Sequence, residues 1–186
     1  MGDPAGGARL SVSALVHAEL ERHDWAALSC GCGESAEHVP LMFEAILTAG
    51  TPRDMIGYTL DNHLEIGTNL FEAAVPAVGV ILAALAGDPS PPARRHLLDT
   101  LCHLVSGDSH ATEQAAGRTE LGDECRRKAR EGYWLIARTG LTGSADDAGT
   151  AADICEFIDL DDERSGYYQA LLRERMSAKT KRRPRG

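Results

Sequence analysis

What this sequence has little of narrows it first. Aromatic residues make up only 5% of the chain, and β-branched residues are sparse outside a few apolar stripes, whereas Ala and Leu abound. That balance favours close helix packing over sheets. No apolar run reaches the roughly 20 residues needed to cross a bilayer, and residues 73–86 are the nearest approach. The opening MGDPAGGARL lacks the basic-then-apolar order of a secretory signal. A cytoplasmic protein with no membrane partner is expected. Catalytic signatures are missing as well: there is no G-x-S-x-G, no P-loop glycine pattern, no H-E-x-x-H and no paired C-x-x-C.

The five cysteines, Cys30, Cys32, Cys102, Cys125 and Cys155, are odd in number, and the last three fall on helical stretches. A secreted disulfide framework is therefore not expected, and free thiols are. Cys30-Gly31-Cys32-Gly33 is the first stretch with chemistry in it, because two thiolates so close can share a metal and His38 lies nearby. Structural zinc usually takes four ligands in two spaced pairs, and no second pair is visible in the sequence. The expectation is a tight glycine turn carrying half-buried thiols, with a reversible redox role as the alternative and no metal or cofactor.

The net charge is −9, and it is uneven. Lys179, Lys181, Arg182, Arg183 and Arg185 crowd a tail free of acids, so the rest of the chain is more acidic still. An acidic body does not attract phosphate backbones, which leaves nucleic-acid binding to the tail alone. Three parts follow: a disordered N-terminal arm (1–10), one helical domain (11–176) and a basic disordered tail (177–186).

Within the domain, residues 69–107 set the pattern. Leu70, Ala74, Val78, Ile81, Leu82 and Leu85 recur at the spacing of one helix face, and Leu97, Leu98, Leu101, Leu104 and Val105 supply a second. Between them, Gly87 can end one helix, Ser90 can cap the next, and Pro91 and Pro92 suit a first turn. An antiparallel hairpin is predicted. Upstream, Val39, Met42, Phe43, Ile46 and Leu47 form a stripe, and Thr51-Pro52-Arg53-Asp54 reads as a helix start, so residues 52–67 with Ile56, Leu60 and Leu64 complete an earlier hairpin. Ser11 is read as the cap of a first short helix bearing Val12, Leu15, Val16 and Leu20. Val-Pro recurs at Val39-Pro40 and Val75-Pro76, roughly 36 positions apart, and Leu-Asp at Leu60-Asp61 and Leu98-Asp99, suggesting stacked helix pairs in which each proline bends its helix.

These units resemble HEAT repeats. The run from Leu64 to Pro76 is similar to a passage in small bacterial HEAT-like proteins, with matching positions at Gly67, Thr68, Phe71, Ala73, Ala74 and Pro76. Glu65-Ile66 stands where those proteins often have His-Gln, so any polar role of that corner is not carried over. The likeness spans about residues 25–106 and implies an all-α fold, a short right-handed α-solenoid of stacked antiparallel hairpins that works as a binding surface without a shared catalytic set.

Downstream, residues 107–123 read as a polar loop bearing His110, Glu113 and Glu120. Residues 124–139 read as one helix with Cys125, Ala129, Tyr133 and Ile136 inward and Arg126, Arg127, Lys128 and Arg130 outward. A turn-rich link at 139–149 precedes a stripe of Ala148, Ala151, Ala152, Cys155 and Ile158, and a last helix from Glu163 turns Tyr167, Leu171 and Leu172 inward. Three functions are weighed. The first is a non-enzymatic scaffold that grips another protein, such as a basic toxin, through Asp61, His63, Asp99 and His103 with Glu113 and Glu120 as a rim. The second is an enzyme or small-molecule binder using His63, His96, His103 or His110. The third is nucleic-acid binding through the basic tail.

Overall fold

A computed structural model describes residues 12–178; the Ser11 cap, the N-terminal arm and residues 179–186 of the basic tail lie outside that range. The described residues are mostly helical, with nine α-helices and three two-residue strands. Helix α1 (Ala14–Glu21) starts at Ser13, whose hydroxyl accepts from the Val16 N–H. Helix α2 is Val39–Thr48, α3 is Ala74–Ala86 and α4 is Pro91–Ser106. The remainder are α5 (Ala111–Ala115), α6 (Leu121–Arg130), α7 (Tyr133–Thr142), α8 (Ala145–Ile158) and α9 (Asp162–Ala178). None of them is long and apolar enough to cross a membrane.

Helix α3 is the axis of the molecule. It packs against α1, α4, α6 and α7, so its apolar residues are covered on nearly every side instead of along one stripe. Its Ala-rich sequence allows that crowding, because small side chains let four neighbours approach. Helix α4 carries the predicted second face, with Leu97, Leu98, Leu101, Leu104 and Val105 all shut away from solvent, and leans on α8, which in turn packs between α7 and α9. The α2 stripe is likewise buried in full.

Several expectations fail, each for a local reason. The helix expected over residues 52–67 is absent: Pro52–Met55 is a short 3-10 turn, and Ile56, read as core, is 72% exposed. The chain then turns through Leu60–Leu64 into strand β1 (Glu65–Ile66), which pairs antiparallel with β2 (Asn69–Leu70). Gly67 and Thr68 at the tip both have positive φ, as a type I′ hairpin turn requires. Strand β3 (Asp108–Ser109) joins in parallel to β2, so the segment read as a polar loop contains a strand and helix α5. Leu60-Asp61 in a turn and Leu98-Asp99 in a helix are therefore not structural equivalents. Nor do the prolines bend their helices: Pro40 and Pro76 both occupy first turns, where the missing N–H costs nothing. The helix expected over 124–139 divides at Gly132, where a side chain would collide with Leu82. In the expected link at 139–149, α7 runs on to Thr142 and α8 begins at Ala145. At the last helix Tyr167 is 63% exposed, and only Leu172 of the three expected residues is fully buried.

Candidate metal centre

The irregular stretch before α3 has a purpose visible in its side chains. Ser29 and Ser35 form an isolated antiparallel bridge, closing a loop over Cys30, Gly31, Cys32, Gly33 and Glu34. The Gly33 N–H donates to the Cys30 carbonyl at 3.0 Å, and Gly33 takes φ +88°, the left-handed region open to glycine at little cost. His38 follows at the end of the 3-10 turn Ala36–His38, and α2 begins at the next residue. The Gly31 N–H donates 2.8 Å to the His63 carbonyl. A Cβ on Gly31 would stand 2.6 Å from the Asn62 carbonyl oxygen, so only glycine lets the cysteine loop meet the 60–64 turn.

That meeting brings four ligand atoms together. Cys30 Sγ lies 3.2 Å from Cys32 Sγ, 3.4 Å from His63 Nδ1 and 3.6 Å from His38 Nε2, and the two ring nitrogens are 2.8 Å apart. All four fall within 4.8 Å of one another. For tetrahedral zinc, with Zn–S about 2.3 Å and Zn–N about 2.0–2.1 Å, ligand atoms stand roughly 3.3–3.8 Å apart. The two Cys30–imidazole distances match those edges, the Cys30–Cys32 and His38–His63 distances sit inside them, and the Cys32–imidazole pairs fall within 4.8 Å. Burial and the neighbouring His38 lower the affinity of His63 for a proton, which favours the neutral, metal-ligating imidazole.

The burial of Cys30 argues against it as a nucleophile. Burial pushes the Cys30 thiol up to about 12, opposite to the lowered pKa that activates a catalytic cysteine. A divalent cation displaces that proton directly, since a coordinating thiol is deprotonated by the ion's own charge.

Polar brackets from α4 hold the His63 turn in place. His96 Nε2 accepts from the Leu60 N–H at 3.3 Å, which fixes that nitrogen as unprotonated, and burial lowers its pKa accordingly. His103 Nδ1 stands 3.1 Å from a carboxylate oxygen of Glu65, whose other oxygen accepts from the Thr68 N–H at 2.7 Å. Glu65 is thus the working group of the corner to which the resemblance assigned no role. Asp61 joins Glu65 and His103 in a second, more open group of ligand-type atoms.

The six residues expected to share one contact face have separate duties. Asp61 and His103 flank Glu65, while His63 turns into the cysteine cluster. Asp99 is tied to Arg95 at 2.7 Å and accepts from Thr150 Oγ1 at 3.3 Å. Glu113 is not a rim residue but is 2% exposed, accepting from Ser29 Oγ at 2.8 Å and paired with Arg118. Glu120 is exposed at the start of α6. Of the other histidines, His110 caps α5 and stacks on Phe71 at 4.7 Å. The sequence placed His38 near the two cysteines but not His63, which lies beyond α2 in a segment read as helical; the legible signal was Cys-Gly-Cys with His38 close behind.

Protein-family models, curated proteins and solved structures yield no match to this chain.

Proposed function

We propose that this chain is a zinc-stabilised helical binding domain, with Cys30, Cys32, His38 and His63 as the ligands. The convergence of two thiols and two imidazoles from three separate segments carries the reading. Four protein ligands fill a tetrahedral shell and leave no open position for water or substrate, so the metal's role is structural. It fastens the cysteine loop to the 60–64 turn, whose Leu60 and Leu64 are anchored in the core.

The rest of the domain supports a HEAT-like reading. Helix α3 packs on α4, α6 and α7, and α4 packs on α6 and α8, so the helices lie in successive packed layers of the kind a stack of helix pairs builds. Such a stack presents surfaces, and gripping a partner molecule is the activity that fits it.

Elemental analysis of protein purified without chelator tests the metal: zinc in a one-to-one ratio is expected, falling to trace levels in His63→Ala and Cys32→Ser. Cobalt substitution should give the intense absorption of a tetrahedral thiolate site. Metal-free protein whose melting is indifferent to both added zinc and chelator would sink the reading.

A further inference from the structure

A cleft of about 570 Å³ opens between the 23–28 stretch, the first turn of α3 and the first turns of α6. That volume suits a small ligand or one long side chain. Leu28, Val75, Pro76 and Leu121 give it an apolar floor. Its charges are unequal: Asp24, Glu72, Glu120 and Glu124 face it against Arg118 and Lys128. Arg118 is already occupied, paired with the buried Glu113 beneath and 3.9 Å from Glu72 beside it. The Lys128 stem lies across Gly79, so Lys128 borders both this cleft and the next groove, and one ammonium faces three acids that have no ion pair among the described residues. Asp24, Glu120 and Glu124 make no ion pair among the described residues, and His23, whose Nε2 is buried without a hydrogen-bond partner there, borders the same space.

We propose that this cleft is a binding site for an organic ammonium group on an alkyl chain, the chain lying on the apolar floor and the cation held by Glu120, Glu124 and Asp24. The chemistry is shared by a free aliphatic amine and by a lysine side chain of a partner. Apolar contact supplies affinity for the methylenes, and the unpaired carboxylates supply sign selectivity. The inference goes beyond the zinc reading and rests on the cavity alone.

Calorimetric titration of the full chain with cadaverine, with the peptide acetyl-Gly-Lys-Gly-amide and with glutarate separates the possibilities. Saturable binding of cadaverine or the lysyl peptide, weakened by salt and absent for glutarate, is expected. Binding of the peptide in preference to cadaverine assigns the site to a protein partner, and the reverse order assigns it to free amines. The double variant Glu120→Gln/Glu124→Gln should lose about tenfold in affinity, and Ala27→Trp, which fills the mouth from an exposed position, should abolish binding, both with unchanged melting. Silence with both amines, or equal affinity in the double variant, overturns the proposal. Zinc content measured on the same preparation keeps the two readings apart, since amine binding by a chain that loads no zinc supports this one alone.

Discussion

Residues 74–178 and residues 25–73 share one apolar core but fix their paths differently. The first region is a stack of helices whose contacts are apolar and periodic: α3 and α4 share a face of fully buried Val, Ile and Leu side chains, and α8 repeats the arrangement with Ala148, Ala151, Ala152, Cys155 and Ile158. The second has α2 as its one α-helix, together with 3-10 turns and strands of two residues, and it contains Gly33, Gly57, Asn62, Gly67 and Thr68 at positive φ. To the burial of α2, Leu60, Leu64 and Leu70 it adds directional restraints: a histidine from α4 on the Leu60 N–H, a carboxylate on the Thr68 N–H, and thiols and imidazoles pointing at one centre. Hydrophobic burial tolerates small displacements, whereas a coordination shell does not. A region whose irregular turns are not fixed by helix periodicity can still be precise if its polar groups converge.

The largest way to break that contrast is Ile81→Asp, which buries an unpaired charge on the fully enclosed face of α3. A loss of about 4 kcal/mol or more is expected in urea melts, with or without zinc. A melting curve like that of the parent chain would mean the stack is not held there.

Chelation should act on the other region. Hydrogen exchange after zinc removal is expected to speed up by about tenfold or more at the amides of residues 30–36 and 60–66, while α3 and α4 keep their protection. Uniform loosening across both regions would erase the distinction.

Acid tests the helical stack through one buried carboxylate. The Arg164 guanidinium beside Asp159, chiefly by hydrogen bonding, holds its carboxyl down at about 2, against an ordinary value of 3.8. A folded pKa below the unfolded one contributes stability above pH ~4 that fades as pH falls towards ~2. Asp159→Asn should therefore cost about 1 kcal/mol at neutral pH, solvent screening of the half-exposed arginine allowed for. The deficit should close on acidification; a gap that persists at pH 2 would assign the effect to packing.

The smallest effect belongs to Asp99→Asn. Its pair with Arg95 is an i,i+4 contact with both side chains well exposed, so a change below about 0.5 kcal/mol is expected in thermal melts. A larger loss would place Asp99 among the groups that hold the scaffold.

The sequence by itself determined the apolar faces of α2, α4 and α8 and the Gly-Pro joint between α3 and α4, because helix periodicity and turn chemistry are local properties written in consecutive residues. It also marked Cys30-Gly31-Cys32-Gly33 as unusual. Only the tertiary structure decided the rest. The turn pattern at residues 51–56 suits a helix start, but the bond from the Leu60 N–H to His96 and the pairing of β1 with β2 draw the following chain away from one. The pairing of Cys30 and Cys32 with His38 and His63 depends on a glycine close approach and a positive-φ turn at Asn62 that no spacing rule reports. Long-range convergence is a property of the folded path, so a ligand set split across three segments becomes readable only when that path is known.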